Sequence, residues 1–328
     1  MTESSAENRR EVRRLAISVI YVTLMATLCV TSDLLFAVPP ARAGTTVFPG
    51  VAVGSLGDSE AELMVRAGIT YARADVGLDS RVFLNIYSVA KKHQINLIGI
   101  LDYGIVAWNN SFTVEDWKSV VDKAQQSYPA IRVWEIWNEP TQSVFQVGYM
   151  NGSPEHYFDL LKSAYTILKT RDPGCTILGL GGAQLEHPED MEFARNVFAL
   201  GGGSFMDAIS IHAYPYAINK GKTWSYYRDL WAQEIAQYRV FGRPLWVTET
   251  GLQSSQLTDA DQTGYLCDSF SFFSQQGVYA YVWYQLTDYN SSGALRAWGL
   301  LRLDIATKAS YDAYKDLIAG GLVVRRRS

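Results

Sequence analysis

The alternation of short apolar runs with longer amphipathic stretches constrains the fold of this chain most. After Gly44, eight apolar runs of strand length follow one another, separated by stretches with helical periodicity. The expected strands are Gly50–Gly54, Ile69–Val76, Asn96–Tyr103, Ile131–Asn138, Thr176–Gly181, Ala208–Tyr214, Leu245–Thr248 and Tyr279–Leu286. Strands that alternate with helices are typical of an α/β protein with a parallel sheet. Eight such units favour one domain with a closed (β/α)8 fold, the TIM barrel, over an open doubly wound sheet.

Several helix ends can be read from local signals. Ser153-Pro154 is an N-cap followed by proline at the first helical position, and Asp172-Pro173-Gly174 ends the same helix. Thr113 and Thr258 each precede an aspartate by three positions, which resembles a capping box. Gly68 is expected to close the first helix. These signals place helices between the expected strands.

The first 43 residues are not expected to belong to the barrel. Arginines at positions 9, 10, 13 and 14 precede the apolar run Leu15–Val30, and Ala41-Arg42-Ala43 is a small-x-small site. We expect residues 1–43 to be a signal peptide, and residues 44–328 to be the catalytic domain. The alternative is an uncleaved membrane anchor through residues 15–38, since Leu34–Val38 extends the apolar run. Both alternatives predict export, so that the protein would be secreted, periplasmic or attached to the cell surface.

Charge and cysteine usage restrict the possible partners. The formal net charge is -4 and the isoelectric point about 5.6, so nothing indicates a nucleic-acid partner. Cys175 and Cys267 are predicted to open one strand and to lie inside a distant helix, and we expect two unpaired thiols. We expect the chain to be a monomer.

Two expected strands end in a glutamate. In a barrel of this kind the functional groups lie at the carboxyl ends of the strands. The fourth strand leads into Trp134-Glu135-Ile136-Trp137-Asn138-Glu139-Pro140, and the seventh into Leu245-Trp246-Val247-Thr248-Glu249-Thr250-Gly251. Either glutamate alone could cap a helix or pair with an arginine. Two of them, three strands apart at one barrel mouth, suit a pair of carboxyl groups that cleaves a bond.

Cleavage of a glycosidic bond needs such a pair. One carboxyl group gives a proton to the leaving oxygen, and one carboxylate meets the anomeric carbon. Retaining enzymes hold the two groups about 5–5.5 Å apart, which leaves no room for a water molecule between them. On this interpretation Glu139 is the protonated group, and Glu249 stays ionised with the help of donors such as Arg73.

The two segments resemble the clan of retaining β-glycoside hydrolases with (β/α)8 barrels, especially families 5 and 39. In that clan an Asn-Glu-Pro segment ends strand four and carries the acid/base, and a second glutamate ends strand seven as the nucleophile. The segment from Trp134 to Pro140 is most similar to family 39, which includes bacterial enzymes that cut biofilm exopolysaccharide. The resemblance covers nearly all of the chain after Gly44. It implies Glu139 as acid/base, Glu249 as nucleophile, a carbohydrate substrate, and no cofactor.

The resemblance also implies roles for residues around this pair. Asn138 would bond to the sugar 2-hydroxyl beside the scissile bond, a contact that strengthens in the transition state. His212 and Tyr214 would approach the nucleophile, with the tyrosine donating to it. Trp283 would form the hydrophobic floor under the sugar. The alternatives are a core histidine at position 212 and ordinary barrel packing at position 283.

Three more charged residues are candidates for the site. Arg73 is expected to point into the barrel, where it must meet carboxylates such as Glu249 or Glu135, because an unpaired buried arginine is costly. We expect Glu135 to be structural. Asp102, together with Trp108, could contact more distant sugars, and exposed loop positions are an equally good interpretation of both.

Other functions fit the sequence less well. A glycan-binding barrel without activity would lack one of the two glutamates. A metal-dependent hydrolase needs clustered ligands, whereas the 4 histidines of this chain are scattered along it. A transglycosylase would use the same site and stays open. Because the chain has little room for a further domain or long insertions, we expect an open groove and endo-cleavage of a polymer.

Overall fold

The predicted barrel is present. The computed structural model describes residues 47–320, in which eight parallel strands close into a barrel in chain order. The strands are β1 (Phe48–Ala52), β2 (Tyr71–Asp75), β3 (Asn96–Leu101), β4 (Val133–Ile136), β5 (Thr176–Gln184), β6 (Ala208–Ala213), β7 (Leu245–Thr250) and β8 (Ala280–Trp283). β8 pairs with β1, with Phe48 opposite Ala280, and this pairing closes the ring. Each of the eight predicted strands overlaps an observed one, with shifted ends.

An α-helix follows each strand of the barrel. The helices are α1 (Asp58–Ala67), α2 (Arg81–Lys92), α3 (Val114–Ser127), α4 (Pro154–Arg171), α5 (Pro188–Ala199), α6 (Trp224–Arg239), α7 (Asp259–Gln275) and α8 (Ala309–Ala319). Between β8 and α8 the chain forms a small antiparallel hairpin, β9 (Tyr289–Ser291) and β10 (Ala294–Arg296), which the sequence analysis did not predict.

The helix ends follow the predicted local signals. Thr113 and Thr258 form capping boxes, because each side chain accepts from the third helical amide while the aspartate there bonds back. The Ser153 hydroxyl accepts from two amides of α4. Gly68 ends α1 in the left-handed conformation, with φ of 75°. These ends were predictable because each depends on residues within one turn of the helix.

Apolar side chains fill two layers, inside the barrel and between the strands and the helices. The inner cluster consists of Ile98, Val133, Leu178, Ala208, Trp246, Ala280 and Val282. The outer cluster is far larger and contains the fully buried Trp117, Trp134 and Trp231. Because alternate residues of a strand face opposite sides, membership of a cluster gives the facing of each position. On β8, Tyr281 and Trp283 belong to the outer cluster.

Two further predictions concern the thiols and the N-terminal segment. Cys175 is buried and Cys267 half-buried, and both are free, as expected. The predicted signal peptide, the alternative anchor and the site after Ala43 lie outside the described residues. Between residues 47 and 320, no helix is long and apolar enough to cross a membrane.

Candidate active site

Glu139 and Glu249 meet at the carboxyl end of the barrel. Glu139 follows β4, Glu249 lies near the end of β7, and both line a cavity of about 280 Å³. Their exposed fractions are 8% and 9%, so most of each side chain is removed from solvent. One carboxyl oxygen of each glutamate and one ring nitrogen of His212 lie within 4.8 Å of one another. The two groups are therefore close enough to act on one bond.

Irregular backbone directs both glutamates into the cavity. The pairing of β6 with β7 shifts by one residue, since Ile211 lies opposite Val247 but His212 lies opposite Glu249. Such a bulge redirects the side chains that follow it. Glu139 has a positive φ of 44°, and its amide donates to the Gly181 carbonyl at 2.6 Å. A positive φ at a residue other than glycine is strained, and such strain is concentrated at functional sites.

Two glycines of β5 make room for this arrangement. Gly181 and Gly182 have φ of 57° and 79°, in a stretch where the pairing with β6 is irregular. A Cβ atom at Gly182 would overlap the imidazole ring of His212. The absence of a side chain at this position therefore lets His212 lie beside Glu139.

Glu249 is held in its ionised form. The Arg73 guanidinium forms an ion pair with it, and the Tyr214 hydroxyl donates to its Oε2 at 2.5 Å. His212 Nδ1 lies 3.8 Å from the same oxygen. Burial alone would raise the pKa of Glu249, but His212, Arg73 and the bond from Tyr214 together lower it below its ordinary value. Glu249 is thus a carboxylate at neutral pH.

His212 connects the two glutamates. Its Nδ1 lies 2.8 Å from Glu139 Oε1, and its Nε2 lies 3.4 Å from an Arg73 nitrogen, which can only donate. Nδ1 carries a hydrogen both in the charged ring and in the tautomer that accepts from Arg73, so it donates to Glu139. Burial would lower the pKa of His212, but the charge of Glu249 and the bond to Glu139 raise it.

Arg73 lies between three functional groups. Its Nε is 2.5 Å from Glu135, one terminal nitrogen pairs with Glu249, and the other donates to Asn138 Oδ1 at 3.0 Å. Burial would lower the pKa of Arg73, but Glu135 and Glu249 raise it. The arginine meets both carboxylates that the sequence analysis considered as its partners.

Glu135 lies one layer deeper in the barrel. It is fully buried, and besides Arg73 its oxygens accept from the hydroxyls of Ser210 and Thr248. These bonds join β2, β4, β6 and β7. This position fits the structural role expected for Glu135.

Comparison with known proteins identifies the family. A model of the family described as glycosyl hydrolase catalytic core matches residues 86–310. The chain belongs to this family. A search of curated proteins gives no match.

Solved glycosidases share the fold of this chain. A family 39 glycoside hydrolase from the gut symbiont Bacteroides cellulosilyticus WH2 has a TM-score of 0.62 and 22% identity, over 84% of this chain and 64% of that one. A glucosidase from Croceicoccus marinus has a TM-score of 0.67 and 13% identity, over 86% of this chain and 69% of that one. The β-glucuronidase 2 from Bacteroides uniformis has a TM-score of 0.61 and 14% identity, over 83% of this chain and 35% of that one. The chain spans from about a third to about two-thirds of these enzymes.

The prediction that Trp283 forms the hydrophobic floor under the sugar is wrong. Its side chain is fully buried, its indole N–H donates to the Trp298 carbonyl at 3.0 Å, and its ring packs 6.0 Å from that of Tyr265 in α7. It faces the helices because Ala280 and Val282 are the inward positions of β8. Tyr284, the next residue, lines the cavity instead.

The expected contact of Asp102 with distant sugars is also wrong. The side chain is fully buried and accepts from the Gly104 amide at 2.8 Å. Burial and the charge of Asp75 raise the pKa of Asp102 well above its ordinary value. Trp108 is 52% exposed, and its ring lies 4.2 Å from that of Tyr103, which lines the cavity.

Several residues that line the cavity were not among the candidates predicted from the sequence. Asp75, Tyr103, Phe145 and Tyr284 all line it. A signal existed for Asp75, because a residue two positions after the inward Arg73 faces the same side of β2. Phe145 ends a short 3-10 helix, Ser143–Phe145, after β4, and strand periodicity gives no information about it.

The nitrogen and oxygen atoms of Glu139, His212 and Glu249 could in principle hold a metal ion. Two observations favour hydrogen bonding instead. The guanidinium of Arg73 already pairs with Glu249, and a second cation beside it would be repelled. The hydrogen on Nδ1 of His212 occupies the direction towards Glu139. The donor set of this site therefore suits a carboxyl pair rather than a metal centre.

Proposed function

We propose that the chain is a retaining O-glycosyl hydrolase that cleaves β-glycosidic bonds by double displacement. The observation that carries this proposal is the approach of the two carboxyl groups, whose nearer oxygens lie within 4.8 Å. This spacing suits the about 5–5.5 Å of retaining enzymes, whereas inverting enzymes need about 6.5–9.5 Å for an interposed water.

The surroundings of the two groups assign their roles. Glu249 is ionised and accepts from Arg73 and Tyr214, which fits a nucleophile. Among residues 47–320, His212 is the one residue that forms a hydrogen bond with the side chain of Glu139, and it donates to Oε1. Its second oxygen is therefore available to carry the proton for the leaving group.

The first step forms a covalent glycosyl-enzyme. A Glu249 oxygen attacks the anomeric carbon while Glu139 gives its proton to the glycosidic oxygen, and the bond between that oxygen and the anomeric carbon breaks. The Asn138 carbonyl oxygen accepts from Arg73, which turns its amide NH2 group away from the arginine. That NH2 group would donate to the sugar 2-hydroxyl, where the contact strengthens as positive charge develops on the ring.

The second step releases the sugar. Glu139, now a carboxylate, takes a proton from a water molecule whose oxygen attacks the anomeric carbon, and the bond to Glu249 breaks. Arg73 and Tyr214 stabilise the departing carboxylate of Glu249. Two displacements at one carbon restore the starting configuration.

Product stereochemistry and chemical rescue test the mechanism. The full chain should release a product with retained anomeric configuration, measured by proton NMR early in hydrolysis. Glu249→Gln should be inactive, and azide should not restore activity. Glu139→Ala should still form the glycosyl-enzyme from a substrate with a good leaving group, and azide should restore its turnover. An inverted product, or full activity of Glu139→Ala on natural polymer, would contradict the roles proposed for the two glutamates.

We further propose that the substrate is a polymer cut within its chain. Exposed aromatic rings follow two strands that lie three places apart in the barrel, Trp108 after β3 and Tyr216 after β6, with exposed fractions of 52% and 49%. Such rings can stack on sugars on either side of the scissile bond. Chromatography of early products should give oligosaccharides of mixed length, whereas release of single sugars alone would indicate exo-action. Added acceptor sugars would reveal any transglycosylation.

We also propose export through residues 1–43. N-terminal sequencing of the full chain expressed in a bacterial host should find a mature protein that begins at Gly44. A protein that keeps residues 1–43 and sediments with membranes would support the anchor instead.

A further inference from the structure

We propose that Asp75 selects an uncharged sugar for the catalytic cavity and excludes uronic acids. This inference rests on the proposed glycosidase function and adds the chemical class of the sugar that lies against Glu249. The carboxylate of Asp75 would accept hydrogen bonds from sugar hydroxyls and would repel a sugar carboxylate.

Asp75 is placed to meet the substrate. It ends β2, two residues after Arg73, and faces the same side of the strand one layer nearer the barrel mouth. It lines the cavity together with Asn138, Glu139 and Glu249. Its side chain is exposed to this space, and no residue between 47 and 320 forms a hydrogen bond or ion pair with its carboxylate.

The positive charge at the cavity is already engaged. Among the described residues that line it, Arg73 is the one with a permanent positive charge. Its guanidinium pairs with Glu135 and Glu249 and donates to Asn138. A uronate bound in the cavity would find no free cation to pair with its carboxylate, and it would lose its hydration beside several negative groups.

A hydroxyl group avoids these costs. Hydrogen bonds to an ionised acceptor are about twice as strong as bonds between neutral groups. Enclosure in the cleft raises the pKa of Asp75, Arg73 opposes this, and the charges of Glu249 and Glu135 add to it. The charge of Asp75 also acts on the buried Asp102, whose Oδ2 has no partner in the described part of the chain. A sugar hydroxyl that donates to Asp75 would supply the stabilisation that this carboxylate lacks.

Paired substrates and a matched variant test the inference. The full chain should hydrolyse uncharged β-glycans and aryl β-glycosides with kcat/KM at least tenfold above that for the corresponding β-uronides. Asp75→Asn keeps the shape and removes the charge. It should lower kcat/KM for the uncharged substrate about tenfold or more, and narrow the preference over the uronide. The control is Asp79→Asn, the same change at an exposed position outside the cavity, which should leave both values unchanged.

The outcomes separate this inference from the proposed function. Retaining hydrolysis with equal or greater activity on uronides, or with no effect of Asp75→Asn, would overturn the inference and leave the proposed function intact. If the wild type hydrolysed neither series, the proposed function would fail. Calorimetry with the wild-type chain, which keeps the Arg73–Glu249 pair, would then decide the inference alone, since glucuronate bound as tightly as glucose would contradict it.

Discussion

Tyr214 is the neutral side chain that bonds directly to Glu249. Its hydroxyl donates at 2.5 Å, and this bond helps to lower the pKa of the carboxylate. Tyr214→Phe should lower kcat/KM about ten- to a hundredfold, as expected for a lost bond to a charged group. The variant should also raise the pKa of Glu249. Because the nucleophile must be ionised, the acidic limb of the kcat/KM profile should move to higher pH.

A second tyrosine provides the control for this prediction. Tyr216→Phe removes a hydroxyl two residues further along, whose bond goes to Gln184 at 3.3 Å rather than to Glu249. Its acidic limb should coincide with that of the wild type. An unshifted limb in Tyr214→Phe would show that the tyrosine does not control the ionisation of the nucleophile.

Most of the candidate site residues could be predicted individually from strand ends. Glu139, Glu249, His212 and Tyr214 come together because the carboxyl ends of parallel strands meet at one mouth. The depth of Asp102 could not be predicted, because burial at a strand end depends on the loop that folds over it. Residue type and strand position therefore indicate which side chains meet, and the loops decide which of them reach the cavity.

At the scale of single elements, the irregular part of β5 controls the position of His212. Gly182→Ala would place a methyl group inside the imidazole ring, so His212 must move away from Glu139. We expect a loss of kcat of at least tenfold, measured with an aryl glycoside. The positive φ of 79° should in addition lower the free energy of unfolding by about 1–2 kcal/mol.

The matched control is Gly201→Ala. This glycine has a similar φ of 89°, and an added Cβ would meet no atom within 4 Å. It should lose a similar amount of stability and keep its activity. If both variants stayed active, the space at Gly182 would not be needed for the position of His212.

The facing of β8 explains the incorrect prediction for Trp283. The run from Tyr279 to Leu286 is apolar on both faces, and a shift of one residue exchanges the inner and outer sides of a strand. The alternation of side chains did not show which face of β8 points into the barrel, whereas on β2 the charge of Arg73 showed it. The sequence of an apolar strand that is buried on both sides does not reveal which face points inward, and such strands are typical of parallel sheets.

Adjacent substitutions on β8 test this facing. Trp283→Ala removes a fully buried ring and should lower the free energy of unfolding by about 3–5 kcal/mol. Tyr284→Ala changes a residue that lines the cavity, so it should raise KM and change stability much less. Chemical denaturation and steady-state kinetics on both variants give the comparison. A raised KM in Trp283→Ala together with a large loss of stability in Tyr284→Ala would indicate that Trp283, rather than Tyr284, contacts the sugar.

At the scale of the whole molecule, the barrel could be predicted, but the contacts in the segment that connects its last strand to its last helix could not. Eight alternations fix the number of strands, since each parallel pair needs its crossover helix. The segment between β8 and α8 contains the hairpin and the buried ion pair of Lys308 with Asp288, 2.8 Å apart. Nothing in the sequence marks this pair, because its partners are 20 residues apart in irregular chain.

Removing one partner of the Lys308–Asp288 pair should strongly destabilise the barrel. The two side chains are 1% and 3% exposed, and Asp288 also accepts from the Gly299 amide, beyond the hairpin. Lys308 is the N-cap residue of α8, the last helix of the ring. Lys308→Met would leave a buried carboxylate without its cation and should lower the free energy of unfolding by about 3–5 kcal/mol. The loss should change little with salt, because buried pairs are weakly screened.

Lys315→Met is the matched control on the same helix. Lys315 pairs with Asp312 at 3.5 Å, and their side chains are 38% and 61% exposed. Exposed pairs contribute little, so this variant should unfold almost as the wild type does. Replacing both partners of the buried pair with apolar residues, Lys308→Met with Asp288→Leu, should recover part of the stability lost in Lys308→Met. If Lys308→Met and Lys315→Met lost the same amount of stability, the last helix would be held by its apolar contacts alone. The buried charges would then not help to close the barrel.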